Sequence, residues 1–297
     1  MNGTSGEIMK LDSFAEIINA CADSGKSFPQ IVAESNTENF GIAPADAYTR
    51  MRAIWRTMLD SVKNYDPADR SASGLSGGDG GKMDAYAVDG APLCGDYLAD
   101  VMACALKTAE SNACMKRIAA APTAGACGVL PAVLLPLYRR GLLTEDDAID
   151  ALFVSAGIGS VIAERASMSG AEAGCQAEIG AASAMAAGTL VYIRKGSPAQ
   201  IAAAAGIALQ NLMGLVCDPV AGLVEVPCVK RNAAGAVNAC AAADMALAGI
   251  TSRIPPHQIV DAMGAVGRRL DESLRETGRG GLAATPEGKR IAQEFYK

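Results

Sequence analysis

Three features of this sequence predict an all-α fold. From Tyr97 onward, alanine-rich runs with helical periodicity alternate with short glycine-rich breaks. Strand signals are weak: valine/isoleucine alternation is brief, and no Asn-Gly or Asp-Gly pair is flanked by alternating apolar residues. Half of the chain is apolar but only 4% is aromatic, so alanine, valine, leucine and glycine must carry the packing. Such residues let helices approach closely.

Residues 7–65 read as amphipathic helices, the first capped by Asp12 or Ser13. Pro44 suits a first helical position and opens a long helix through Met51, Ile54, Trp55, Met58 and Val62. The stretch DPADRSASGLSGGDGGKMDAYAVDGAPLCG follows, a connection too long for a turn and therefore a candidate functional loop. Helical runs are then expected at about 97–119, 128–140, 145–163, 176–194, 198–214, 232–249 and 256–277. The breaks between them include PTAGACG, SMSGAEAGC, RKGSP, CDPVAGLVEVPC and ITSRIPP. No internal repeat of fixed period is visible. The organisation expected is an N-terminal helical segment, 1–65, packed as one unit with a helical domain, 66–297, that carries the chemistry.

Composition narrows the function. The formal net charge is −6 and no basic stripe is interleaved with aromatics, which argues against nucleic acid. The first twenty residues lack a basic region followed by an apolar one, so no signal peptide is read there. Residues 196–217 carry no charge, but Pro198, Gln200, Gln210 and Asn211 and the abundance of alanine favour a buried helix over a membrane span. Nine cysteines, an odd number without a secretion signal, point to a reducing compartment and hence to the cytoplasm.

Four breaks could carry chemistry. Ser73 to Lys82 resembles a phosphate loop, but a Walker motif needs glycine at Ser76 and Ser/Thr at Met83. Its backbone N–H groups and Lys82 could instead hold a small carboxylate, or the stretch could be a plain linker. Ala121 to Gly128 leads straight into an apolar helix, so its exposed amides suit an anion. Taken alone, it reads more simply as a helix start with a small buried thiol at Cys127. In Ser167 to Gly180, Cys175 sits where a glycine-rich turn meets a first helical turn, a position that favours thiolate. Glu172 and Glu178 could act as acid or base, or could merely complement the helix N-terminus.

The fourth break, CDPVAGLVEVPC, brackets Cys217 and Cys228 with prolines. A disulfide conflicts with the reducing compartment, and two inert buried thiols remain a fair alternative. Zinc is disfavoured because no short Cys-x-x-Cys spacing exists and His257 is the only histidine. Iron–sulfur clusters accept wider spacing and take cysteines on turns, and Cys175, Cys217 and Cys228 each lie in such a turn. Three ligands would leave one iron open to act as a Lewis acid. His257, after Pro255-Pro256, reads as a capping or surface residue.

At GCQAEIGAASAMAAG, CDPVAGLVEVPCVKRNAAGAVNA and MALAGITSRIP, the sequence closely resembles the α chain of the iron–sulfur-dependent L-serine dehydratases, also called L-serine ammonia-lyases. The resemblance runs from the N-terminal helices through LRETGRGGLAATPEGKRI, essentially the whole chain. It implies a [4Fe–4S] cluster held by Cys175, Cys217 and Cys228 in an all-helical catalytic domain. It also implies loss of water from L-serine to aminoacrylate and then pyruvate and ammonia, a step of amino-acid catabolism that feeds gluconeogenesis.

Two departures matter. Single-chain relatives end in a cysteine that can occupy the open iron, whereas this chain ends EFYK. They also carry an N-terminal domain with a Ser-Ser-His-Thr motif whose histidine is a candidate base. In two-subunit relatives that domain is a separate β chain, so the resemblance implies a hetero-oligomer with such a chain. The base is expected from the β chain, with Lys82 and Glu178 as candidates within this one. Ser76, Gly77, Gly78, Lys82, Thr123 and Gly125 are expected to hold the substrate carboxylate. Pyridoxal-phosphate chemistry lacks a convincing lysine and phosphate cradle. An L-cysteine desulfidase-like lyase and a non-catalytic iron–sulfur sensor or electron carrier are the alternatives.

Overall fold

A computed structural model gives the fold and describes residues 11–297; the expected helical start at residues 7–10 lies outside them. Thirteen α-helices make up the described residues: α1 (Phe14–Ser24), α2 (Phe28–Phe40), α3 (Pro44–Lys63), α4 (Asp79–Asp89), α5 (Gly95–Ala113), α6 (Val129–Arg139), α7 (Glu145–Arg165), α8 (Gly170–Ala173), α9 (Ala181–Ile193), α10 (Pro198–Asn211), α11 (Cys228–Leu247), α12 (Pro256–Arg269) and α13 (Pro286–Phe295). The only strand-like pairing among them is an isolated bridge between Cys217 and Arg275. The all-α expectation holds.

Local chemistry explains the helix starts. Ser13 caps α1: its hydroxyl accepts from the Glu16 amide while Glu16 accepts from the Ser13 amide at 2.8 Å. Thr144 with Asp147 and Ser197 with Gln200 form the same reciprocal cap on α7 and α10. Proline occupies the first turn of α3, α10, α12 and α13, where no amide partner is lost.

Helix α9 is the centre. It is buried from Ala181 to Val191 and packs against α6, α7, α10 and α11. Small residues make this possible: a Cβ on Gly188 would lie 2.3 Å from Cδ1 of Ile158 on α7. The N-terminal helices close the other side of α7, and Phe14, Ile17 and Trp55 belong to the same contiguous core as α9. No helix of the described residues is long and apolar enough to cross a membrane, and the uncharged run at 196–217 forms buried α10.

Three expectations are corrected. The run expected at 256–277 ends at Arg269, because extended Leu270 leads into Asp271, whose side chain caps a separate short turn at Glu272–Leu274. Residues 66–95 are not all loop, since α4 occupies Asp79–Asp89; Gly80 and Gly81 hide its signal in the sequence. Cys228 is not in irregular backbone but is the first residue of α11.

Candidate metal centre

Cys175 stands at the join between α8 and a single π-helical turn, Gln176–Gly180, that leads into α9. Such turns concentrate at functional positions. Gly174 makes the join possible: its φ is 76°, and a Cβ there would meet the Leu215 carbonyl at 2.8 Å. Buried Gln176 staples this turn to the segment before Cys217. Its amide donates to the Leu215 carbonyl at 2.9 Å, and its side-chain oxygen accepts from the Gly214 amide at 2.8 Å. Cys217 is fixed from the other side, donating its amide to Leu274 at 2.9 Å and accepting from the Glu276 amide at 2.8 Å.

This scaffolding brings the ligand atoms of Cys175, Glu178 and Cys217 within 4.8 Å of one another. Cys228 is buried nearby and outside that tight group, yet close enough for Cys175 to raise its pKa. The thiols differ in protonation. The adjacent Cys175 and Cys217 thiols interact, which lowers the pKa of Cys175 against its burial and raises that of Cys217 well above the ordinary range. Burial pushes Cys228 up to about 12. A bound cation would compete with protons for these sulfurs.

Arg231 stands beside Cys175. Its guanidinium donates to the Val216 carbonyl and to Asp218, both at 2.8 Å, and also lies against Cys175. The second Asp218 oxygen accepts from the Leu282 amide at 2.8 Å, which folds the C-terminal segment over the cysteine turn. Asn232, one helical turn beyond Cys228, donates to the Cys228 carbonyl at 3.0 Å.

Glu178 is half-buried, and burial raises its pKa against the influence of Thr123. The Thr123 hydroxyl is buried beside Glu178 but makes no hydrogen bond of ordinary geometry. Two glycines border this group closely. A Cβ on Gly170 would stand 2.6 Å from Glu178 Oε2 and 3.1 Å from Cys217 Sγ, and one on Gly125 would stand 3.4 Å from Glu178 Oε1. Two soft sulfur donors and a carboxylate within 4.8 Å are a donor set that fits a metal ion, with the sulfurs favouring a soft or borderline one.

The structure thus gathers Cys175, Cys217, Glu178, Thr123 and Gly125, with Cys228 alongside. It treats the glycine-rich loop differently. Ser76 is buried, bonded to Ser71 through its backbone, and Gly77 and Gly78 adopt φ of 127° and 89°. The amides at the start of α4 are already taken, because buried Glu110 accepts from Asp79 at 2.9 Å and from Gly80 at 3.0 Å. Lys82 is 77% exposed, pairs with Asp79 at 2.8 Å, and lines a separate groove with Tyr86 and Lys230. Sequence reasoning missed Arg231, Asn232, Asp218 and Glu110. The first two were within reach, since they follow Cys228 by three and four residues and share its helix face. Nothing near Glu110 in sequence announces its role.

A helical fold that brings two cysteines and a carboxylate together, with a third cysteine nearby, defines a candidate metal-binding protein. The chain belongs to the serine dehydratase alpha chain family, whose model matches residues 23–283. It is 51% identical over 251 residues to the probable L-serine dehydratase alpha chain of Bacillus subtilis (strain 168), covering 84% of each chain. It is 41% identical over 288 residues to the L-serine dehydratase alpha chain of Peptoniphilus asaccharolyticus, covering 97% of this chain and 99% of that one. L-serine dehydratase TdcG of Escherichia coli (strain K12) is 45% identical over 181 residues, 60% of this chain but 40% of that longer one.

Proposed function

We propose that this chain is the catalytic α subunit of a cytoplasmic [4Fe–4S]-dependent L-serine dehydratase, converting L-serine to pyruvate and ammonia with a separate β chain. The observation that carries this reading is the convergence of Cys175, Cys217 and Glu178 within 4.8 Å, with Cys228 beside them, in a chain whose relatives are named L-serine dehydratases. Cys175, Cys217 and Cys228 would hold the cluster, which when bound supplies Lewis-acid help to a departing hydroxyl.

The chain's own residues divide the remaining work. Arg231 stabilises Cys175 in the thiolate form needed for binding iron. Gly170 lets the backbone pack directly against Glu178 and Cys217, which a Cβ there would strike. The Thr123 hydroxyl, buried beside Glu178, and the backbone of Thr123 to Gly125 receive the serine carboxylate. Ser76, Gly77 and Gly78, on the loop tied to Glu225, would help hold that carboxylate. Glu178 is the nearest carboxyl to the reacting centre and takes or relays a proton there. The base that removes the Cα proton comes from the β chain. Lys82, exposed and ion-paired with Asp79, has no role in this scheme.

Anaerobic purification followed by a pyruvate assay, with and without β chain, tests the proposal. Iron-loaded α chain alone should turn over L-serine roughly 10²–10⁴-fold more slowly than the mixture, the usual contribution of a positioned base. His257→Asn should leave the mixture's rate unchanged. Absence of pyruvate from the mixture would overturn the reading, and sulfide released from L-cysteine in its place would make the protein a desulfidase.

A further inference from the structure

Glu225 lies in the turn between Cys217 and Cys228, buried, and its carboxylate bonds to the start of the glycine-rich loop. It accepts from Ser71 Oγ at 2.6 Å and from Ser73 Oγ at 2.9 Å. Those serines close their own loop. Ser71 donates its amide to the Ser76 carbonyl at 2.9 Å, its hydroxyl accepts from the Ser76 amide at 3.2 Å, and Ser73 Oγ accepts from Leu75 at 3.0 Å. The Glu225 carbonyl in turn accepts from the Val229 amide at 2.9 Å, which fastens Glu225 to the first turn of the helix that begins at Cys228. Among the described residues, the hydrogen bonds joining segment 66–78 to segment 217–228 all run through this one carboxylate.

We infer that Glu225 is a positioning residue that couples the metal centre to the loop bearing Ser76, Gly77 and Gly78. The inference rests on the function proposed above. Hydroxyl bonds to a buried carboxylate are short and charge-assisted, so they transmit position rather than merely fill space. When metal draws Cys217 and Cys228 into one arrangement, Glu225 is fixed, and the loop becomes ordered for the substrate carboxylate. Linkage requires the reverse as well: L-serine held by the ordered loop tightens metal binding.

The test compares wild type, Glu225→Ala, Glu225→Gln and the Ser71→Ala/Ser73→Ala double variant, each iron-loaded under argon and each stripped with chelator. Trypsin cleavage after exposed Arg70, followed by mass spectrometry, reports loop order. Stripping iron from wild type should speed cleavage at least about tenfold, the scale of losing hydrogen bonds to a charged group. The double serine variant leaves the cysteine turn intact. It should keep its iron yet be cleaved as fast as stripped wild type, with KM for L-serine rising more than kcat falls. Glu225→Gln should lie between, because its carboxamide still accepts from a serine hydroxyl. If Glu225→Ala fails to fold, the Gln and serine variants carry the comparison. Equal cleavage and KM in wild type and the iron-loaded serine variant would overturn the coupling while leaving the functional proposal standing. A wild type that binds no iron and makes no pyruvate with β chain would overturn both.

Discussion

Asn232 donates its side-chain amide to the carbonyl of Gly125 at 2.8 Å, tying α11 to the turn that faces Glu178. The same carboxamide accepts from the Gly128 amide at 2.8 Å and donates to the Cys228 carbonyl at 3.0 Å. One fully buried side chain thus sets the spacing between a cysteine and the turn proposed to receive substrate.

Asn232→Ala leaves those three groups without their partner in a site that water cannot readily fill. An unsatisfied buried group costs about 1–3 kcal/mol, and stability of the metal-free protein in urea should fall by at least that amount. Asn232→Asp keeps the acceptor but not the donor, so it should not restore the parent value.

Arg231 and Asp218 form a buried pair, 15% and 4% exposed at the side chain. Removing one partner strands the other, typically at about 3–5 kcal/mol. Arg231→Met and Asp218→Leu should each be strongly destabilising, and the double variant should cost clearly less than their sum. Simple additivity in urea unfolding would show that the pair is not coupled.

Cys175→Ser, Cys217→Ser and Cys228→Ser should each lose iron and the broad visible absorption of the anaerobic protein, because a hydroxyl is a poor substitute for thiolate on iron. Cys21, Cys94, Cys104 and Cys114, which lie away from the centre, should tolerate alanine with absorption intact. Air should inactivate the parent protein, and ferrous iron with a thiol under argon should restore it. Full absorption in Cys217→Ser would shift attention to Cys127 and Cys240, which are also buried.

Thr144 donates its hydroxyl to Asp147 at 2.6 Å and holds that carboxyl below the ordinary range. A depressed folded pKa contributes stability that is present above the unfolded value, about 3.9, and lost as pH falls through the folded one. Thr144→Ala should therefore cost about 1 kcal/mol at neutral pH, the usual value of an N-cap, with the gap narrowing in acid. Urea midpoints of both proteins across that range check the sign.

Much of the fold was legible because its causes are short-range. Ser13 with Glu16, Pro44 before a periodic apolar run, and alanine and glycine spaced through 181–193 all act within a few residues. The turns bearing Cys175 and Cys217 were visible for the same reason, as glycine and proline interrupted the helical pattern. Helix α4 was not legible, since Gly80 and Gly81 weaken its local signal and its N-terminus is capped by distant Glu110.

By itself, the sequence determined that the chain is helical, close-packed through small residues, and supplied with cysteines at its breaks. Only the tertiary structure decided that Cys175 meets Cys217, that Arg231 stands against Cys175, and that Lys82 is turned outward to Asp79. Helical periodicity and capping are set by neighbours along the chain. The placement of buried polar groups is set by the partners that satisfy them in space, and for Gln176, Asn232 and Glu225 those partners lie on distant segments.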